Sequence, residues 1–466
     1  MDRIQIYLDI VPLPVIIGLG MLGALFVLMI PTRLRLWVFL AGLPLWLALS
    51  RFPELGAVQA FSKVSGMFYF AVIAFAALTH PGPKRRLPFV LWLYPLLGLL
   101  SIFYVLGAED AAIATVLRIQ WFFLTLAALM VVRAITTEEQ LVKALYCLFL
   151  GSTAAASLAF LAVIKDPGAA FAGGLGRVQP WGANQNHVGP IFILLTPLGL
   201  YFGLRSKTTL LKLFAFGAFG LGGVMALLTA SRSVVFPIAF LLIFVGWELR
   251  RKPLVIIGAA IAVIPVLVFA GGFIADANVD RLGSLQTERY ERWHEYLGVI
   301  MQHPVFGIMF ETGELAASAE EVGGHAHNAY LDALRVYGLS LCIPLFSLAL
   351  WSIWSTFKVW TRRKQFAKDN LLITMLAAFM AMVYFHGVVT IVIYYSNYTW
   401  SFFHVFLSSL FITMAASRGH ELVPEAQADW DDDYGYDDTP PEWSMPYPPE
   451  HATPALASDD DFKQAS

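Results

Sequence analysis

Apolar stretches long enough to cross a lipid bilayer recur along most of this chain of 466 residues. A spanning helix needs about 20 predominantly apolar residues, because the hydrocarbon core is about 30 Å thick and a helix rises about 1.5 Å per residue. The candidate spans are 11–30, 35–50, 62–79, 88–106, 113–132, 143–164, 187–204, 209–229, 233–248, 254–273, 329–356, 370–393 and 401–417. The first two could form one re-entrant hairpin or tilted pair. The sequence therefore predicts an all-α integral membrane protein, a polytopic bundle of 12–13 transmembrane helices.

The composition excludes most soluble classes of protein. Hydrophobic residues make up 58% of the chain and charged residues only 14%, whereas a soluble domain carries about 25% charged residues. So little polar surface rules out a soluble enzyme, a secreted disulfide scaffold and a simple nucleic-acid-binding module. Cys147 and Cys342 lie inside apolar stretches, where we expect packing residues rather than disulfide partners or metal ligands.

The basic residues predict the orientation of the bundle, because cytoplasmic loops of membrane proteins carry an excess of Lys and Arg. Counted back from the C-terminus, alternate connections are strongly basic. They contain Arg418; Lys358, Arg362, Arg363, Lys364 and Lys368; Arg250, Arg251 and Lys252; Arg205 and Lys207; Arg133; and Lys84, Arg85 and Arg86. The segment 421–466 holds 13 acidic residues and one basic residue, which predicts a disordered acidic tail in the cytoplasm that could tether a cytoplasmic partner.

Two of the predicted outer connections are long. The first, 165–186, is rich in Gly and Pro, and the second, 274–328, is the largest non-apolar stretch before the tail. Long loops on a scaffold of helices often carry function. Within the second loop, 285–301 is predicted to form a helix on the outer mouth of the bundle. Its apolar side would carry Leu285, Trp293, Leu297 and Ile300.

Polar residues at the outer ends of spans are candidate site residues, because polar and charged groups in a membrane are costly. In ANQNHVGP, Asn186 and its neighbours either cap the following helix or form a polar cluster facing an anionic substrate. In LLTASRSVV, Arg232 stands in a short outer turn, where the positive-inside rule does not favour it. It is either an interfacial arginine that reaches to water or a ligand whose planar guanidinium suits phosphate oxygens.

The two ends of the loop 274–328 carry further candidates. Arg289 and Arg292 fall on adjacent turns of the predicted loop helix, where they contact a substrate or pair with glutamates of the same helix. His327 lies where the loop enters the next span, and imidazole is well suited to proton transfer near neutral pH. Zinc binding by His325 and His327 is disfavoured, because neither Cys nor a carboxylate joins them at close spacing.

Two arginines fall within predicted spans. Arg335 follows Asp332 by three residues, so the two side chains could neutralise each other inside the bundle. For Arg118, in the span 113–132, structural pairing and substrate contact are both open. Together, the arginines, the histidine and the asparagines of the outer side suit a lipid-embedded substrate that bears a pyrophosphate.

Four segments in order resemble the O-antigen ligase/polymerase family of bacterial envelope glycosyltransferases. They are GANQNHVGP, the TASR turn, the stretch from Arg289 (R-x3-W, then HPVFG), and His327-Asn328 followed by Gly338. The resemblance extends over roughly 180–345. It implies a multi-spanning protein of the bacterial inner membrane with a periplasmic active site.

The resemblance also implies a chemistry. The donor would be a glycan linked to undecaprenyl diphosphate, and the acceptor lipid A–core or another envelope glycan, with no metal or other cofactor. Arg232 and Arg289 would hold the diphosphate, His327 would deprotonate the acceptor hydroxyl, and Asn186 would line the pocket. The other candidates for substrate binding are Arg118, Arg292, Asn328 and Arg335. A repeat-unit polymerase with the same donor, and a multi-spanning transporter or flippase, are the alternatives.

The predicted organisation has four parts. Residues 1–179 form the N-terminal transmembrane helices, and residues 180–345 form the ligase-like core that includes the loop 274–328. Residues 346–420 form the C-terminal transmembrane helices, and 421–466 form the acidic tail.

Overall fold

The computed structural model describes residues 13–105, 111–171, 177–229, 289–312, 327–389 and 399–417, together with residues 231, 234, 238, 241, 244 and 246. The regular secondary structure in this part of the chain is helical, which confirms the predicted all-α membrane fold. The main helices are α1 (Leu13–Met29), α2 (Thr32–Leu49), α3 (Ala57–Thr79), α4 (Leu93–Phe103), α5 (Ala111–Ala134), α6 (Glu138–Lys165), α7 (Gln185–Arg205), α8 (Thr209–Leu228), α9 (Arg289–Gln302), α10 (Gly307–Thr312), α11 (Ala329–Thr361), α12 (Asn370–Val389) and α13 (Thr399–Ala416).

The described helices match the predicted spans closely. Eight of them are long and apolar enough to cross a membrane, namely α2, α3, α5, α6, α7, α8, α11 and α12. Two shorter apolar helical segments, Phe89–Phe103 and Trp400–Ala416, coincide with further predicted spans, and α1 coincides with the first. The predicted spans 233–248 and 254–273 lie outside the described residues, apart from the single positions already named. The protein is thus a multi-pass membrane protein.

The core of the bundle is built around α7 and α13. In α7 every residue from Val188 to Gly203 is buried, and the helix packs against α8, α6 and α13. Most of α13 is also buried, with Trp400, Phe402 and Phe403 fully enclosed. Helices whose side chains are buried on nearly all sides lie in the middle of the bundle rather than at its lipid-facing edge. Cys147 and Cys342 are buried and free, as expected for packing residues.

The basic connections meet at one end of the bundle, which we call the basic end. Arg205, in the last turn of α7, forms an ion pair with Asp369, and the Tyr201 hydroxyl donates to Asp369 Oδ2 at 3.0 Å. The Glu138 carboxylate at the start of α6 accepts the backbone N–H groups of Lys368 and Asp369, at 2.8 and 3.0 Å. The connections before α6, after α7 and before α12 therefore lie together.

The opposite end, which we call the site end, gathers the predicted outer connections. Val178 N donates to Leu228 O at the end of α8, at 2.9 Å. The Tyr330 hydroxyl, in the first turn of α11, donates to Tyr384 O near the end of α12, at 3.0 Å. The start of α7, the end of α8 and the start of α11 therefore face away from the basic end. Which end faces the cytoplasm stays a prediction.

Candidate functional site

A hydrogen bond joins the first two predicted motifs at the site end. Asn184 caps α7, and its side-chain oxygen accepts the backbone N–H of Asn186 at 2.9 Å. The Asn186 side chain is not used as a cap, because Asn186 Oδ1 accepts a hydrogen bond from Ser231 Oγ at 2.8 Å. The ANQNH motif and the TASR turn thus form one polar unit, although they are separated by the whole length of α7 and α8.

Arg177 is a buried arginine of this unit that was not among the residues predicted from the sequence. Its side chain is 6% exposed, and its Nε donates to Thr229 O in the TASR turn at 3.0 Å. With the Gln185 amide oxygen turned toward the guanidinium, that oxygen accepts from the two terminal nitrogens at 2.7 and 3.1 Å. One guanidinium therefore holds the end of α8 against the start of α7. The only sequence signal is an arginine in the Gly- and Pro-rich connection before ANQNH.

A backbone contact holds the loop helix α9 on the mouth of the bundle. The turn after α9 docks on a kink in α11, where Leu339 N donates to Pro304 O at 2.8 Å and Ser340 N donates to Val305 O at 3.0 Å. Gly338 has a φ of +59°, and a Cβ there would lie 2.4 Å from Val305 O. The contact therefore requires glycine at the kink.

The structure confirms the predicted position of the loop helix in the sequence and part of its predicted buried face, which includes Ile300. We expected 285–301, and α9 covers Arg289–Gln302. Tyr296 is fully buried and Ile300 is buried, whereas Leu297, predicted on the apolar side, is 46% exposed. The prediction for Leu297 is wrong because Tyr296 packs on Arg335, whose guanidinium carbon lies 5.1 Å from the ring centroid. Leu285 lies outside the described residues.

His327 and Asn328 form the entry to α11. His327 is partly exposed and has a φ of +51°, a left-handed conformation that is uncommon for a residue other than glycine. Asn328 is 7% exposed and caps the helix, because its Oδ1 accepts the backbone N–H groups of Tyr330 and Leu331 at 3.0 and 3.1 Å. The cap fixes the backbone directly after His327 and occupies the Asn328 oxygen.

The predicted pairing of Asp332 with Arg335 is confirmed. The two side chains are buried, and Arg335 Nη2 lies 3.2 Å from Asp332 Oδ1. Arg118 lies at the same end, with its guanidinium carbon 4.9 Å from the ring centroid of Tyr337, next to the kink. Both arginines thus sit against aromatic rings of α9 and α11, a contact that orients a cation without neutralising it.

The structure describes the proposed catalytic residues only in part. Arg232 lies outside the described residues, and for Arg289 only its place as the first residue of α9 is described. Arg292 and Asn186 are partly exposed at the site end. The convergence of Arg232, Arg289 and His327 in one cavity therefore stays a prediction. Within the described ranges, no three His, Cys, Asp or Glu side chains gather as a possible metal site.

Comparison with known proteins agrees with the resemblance seen in the sequence. Residues 217–346 match the family model described as O-antigen ligase. This segment runs from the middle of α8 through the TASR turn, α9 and α10 into α11, and it contains Arg232, Arg289 and His327. No curated protein matches the chain. This part of the multi-pass membrane protein is therefore similar to the O-antigen ligase family.

Proposed function

We propose that the protein transfers a glycan from an undecaprenyl-diphosphate carrier to an envelope acceptor, either lipid A–core or another envelope glycan. The reaction takes place at the periplasmic face of the bacterial inner membrane. One observation carries the proposal: the O-antigen ligase match covers Arg232, Arg289 and His327. Its described parts that carry Arg289 and His327, namely α9 and the start of α11, lie at the end of the bundle opposite the basic connections. The positive-inside rule supports a periplasmic location for that end.

The proposed reaction is a displacement at the first carbon of the donor glycan. The acceptor hydroxyl oxygen forms a bond to this carbon while its proton passes to the His327 imidazole. The bond between the carbon and the phosphate oxygen breaks, and its electron pair leaves with undecaprenyl diphosphate. Arg232 and Arg289 hold the departing diphosphate, because a planar guanidinium can bind two phosphate oxygens at once.

The described contacts support different roles for the other candidates. Asn186 and Arg292 are partly exposed, so they are the proposed substrate contacts. Arg118 is oriented by Tyr337 and is proposed to contact the donor beside the kink. Arg335 pairs with Asp332, and the Asn328 oxygen caps α11. We therefore propose that Arg335 and Asn328 support substrate binding indirectly, mainly by fixing the backbone around His327.

The second candidate function is polymerisation of polysaccharide repeat units with the same donor. The O-antigen ligase match supports both reactions, because they share the donor and the displacement step. A transporter or flippase has less support, because it needs a charged path across the bundle, whereas the described candidates Arg118 and Arg335 both lie near the kinked end of α11. The lipopolysaccharide profile of a deletion strain distinguishes the two transferases. Loss of long chains from core lipid indicates a ligase, and single-repeat products indicate a polymerase.

The direct test is the variant His327→Ala in purified, reconstituted protein. We expect transfer to fall by about 10²–10⁴-fold, because a general base contributes a rate factor of that size. The control is His294→Ala, which removes an exposed histidine of α9. Parent-like activity of His327→Ala would exclude His327 as the base. EDTA should leave the parent active, because arginines rather than a metal neutralise the leaving diphosphate in this proposal.

A further inference from the structure

We propose that a pocket at the basic end, formed by His80, Lys84, Arg133 and Lys143, binds the phosphate of an anionic phospholipid. These residues come from the end of α3, the connection after it, the last turn of α5 and the first part of α6. The pocket lies at the end of the bundle away from the candidate functional site, and the proposal does not depend on the transfer reaction.

Backbone and ring contacts bring the four residues together. Lys84 Nζ donates to Ala77 O at 3.0 Å and also to His80 O, which places the ammonium group over the end of α3. The next residue ties this connection to α5, because Arg85 N donates to Arg133 O at 2.8 Å.

The indole of Trp37 contacts two of the pocket residues, Lys143 and His80. Lys143 Nζ lies 5.0 Å from the Trp37 ring centroid, and the His80 ring meets the same indole edge-on at a centroid distance of 5.2 Å. Lys143 and His80 therefore lie on one aromatic side chain of α2. The pocket is a junction of four helices rather than a run of basic residues along one loop.

The positive charge of this pocket is not balanced by the described residues. No carboxylate in the described ranges lies within ion-pair distance of Lys84, Arg133 or Lys143, although Glu139 precedes Lys143 by one helical turn. The absence of a counter-charge leaves room for an anion from outside the chain.

His80 adds a second, independent observation. It is 9% exposed, and its Nδ1 has no hydrogen-bond partner among the described groups. Burial, with the nearby charges of Lys84 and Lys143, lowers the pKa of His80 to about 4. The positive-inside rule explains why lysines and arginines occur at this end, but it does not explain a buried imidazole with an unsatisfied nitrogen.

Exposed apolar side chains on the segments that form the pocket favour a phospholipid over a soluble anion. Leu78 is 51% exposed just before His80, and Phe89 is 87% exposed after the connection. Leu34, near the start of α2, is also 51% exposed. Basic pockets between transmembrane helices bind lipid headgroups, and here acyl chains would cover the neighbouring apolar surface. A soluble phosphate ion would contact the charged groups of the pocket but not these apolar side chains.

The test compares the full-length parent with the double variant Arg133→Gln/Lys143→Gln in phosphatidylcholine nanodiscs. Added phosphatidylglycerol should raise the Tm of the parent, because a ligand that binds only the folded state stabilises it. The rise in Tm produced by phosphatidylglycerol should be at most half as large in the double variant as in the parent. The control Lys207→Gln/Lys212→Gln removes two exposed charges elsewhere in the chain and should keep it. The charge-preserving variant Arg133→Lys/Lys143→Arg should also keep most of it.

Two further measurements separate the possible ligands. Phosphatidylglycerol should raise the pKa of His80 from about 4 toward its ordinary value of 6.5, as followed by NMR of labelled histidine. An equal Tm rise in the parent and the Gln double variant would overturn the site. A rise produced equally by inorganic phosphate would show a soluble-anion site and overturn the assignment to a lipid.

Discussion

Arg232 and Arg289 should not tolerate lysine. We expect Arg232→Lys and Arg289→Lys each to lose most transfer activity although the charge is retained, because two-point binding of phosphate needs the planar guanidinium. The measurement is transfer by purified protein with the lipid-linked donor. Arg86→Lys, at an exposed position of the basic end, is the matched control. If lysine supports activity at both positions, the arginines contribute only a diffuse positive electrostatic potential.

Arg177 should act as a positioning residue. Lysine cannot hold both Thr229 O and the Gln185 oxygen, so we expect Arg177→Lys to lower kcat/KM about 10–100-fold through misplacement of the TASR turn. Gln185→Glu keeps an oxygen acceptor and should stay near the parent value. The comparison of kcat with KM for each variant is the measurement. Parent-like kinetics of Arg177→Lys would contradict the role.

At the level of single residues, types and spacing led to part of the candidate site. Asp332 and Arg335 were paired correctly because a separation of three residues places two side chains on one helical face. Arg177 was missed because its partners, Thr229 and Gln185, are distant or unremarkable in the sequence. Its role depends on its burial and on its hydrogen bond to Thr229 O, and neither can be predicted from residue spacing.

At the scale of elements, the junction of the α9–α10 turn with α11 should be sensitive to substitution at Gly338. In Gly338→Ala the new Cβ would lie 2.4 Å from Val305 O, at a φ of +59°. We expect this variant to be destabilised by about 1–3 kcal/mol and to lose activity, because α9 can no longer dock. Gly298→Ala is the control, since nothing lies within 4 Å of a Cβ at that position in α9.

Thermal unfolding of the two glycine variants in the same detergent provides the comparison. Gly298→Ala should match or exceed the parent Tm, because alanine favours a helix over glycine. If Gly338→Ala unfolds at the parent temperature, the kink adapts and the docking contact does not position α9.

Helix positions followed from the sequence, but helix faces and partners did not. Length and apolarity locate a span, because the thickness of the bilayer sets its length and the hydrocarbon interior requires apolar side chains. The face of a short amphipathic helix depends on its neighbour, as Tyr296 on Arg335 shows. HPVFG and Gly338 stood as separate motifs in the sequence, and the fold makes them the two sides of one backbone contact.

For the whole molecule, removal of the acidic tail should leave transfer largely intact. The chain leaves α13 at the basic end, where Lys358 Nζ donates to Ala415 O at 2.7 Å. The last described helix therefore ends at the end of the bundle opposite His327, and the acidic segment 421–466 follows it in the sequence. A protein ending at His420 should retain transfer activity in the same reconstituted assay. Protease should digest the tail in inverted membrane vesicles, and protection there would reverse the predicted orientation of the bundle.

The apolar stretches and the charge pattern were sufficient to predict the class of fold and the separation of a basic end from a polar end. Both follow from the cost of burying charge and unpaired backbone in hydrocarbon, which acts on each segment on its own. Tertiary structure alone decided which polar side chains meet. The bond between Asn186 and Ser231, the bridge made by Arg177 and the docking of α9 on Gly338 join segments that lie far apart in the chain. Such contacts depend on how helices pack, and many packings satisfy the same pattern of apolar spans.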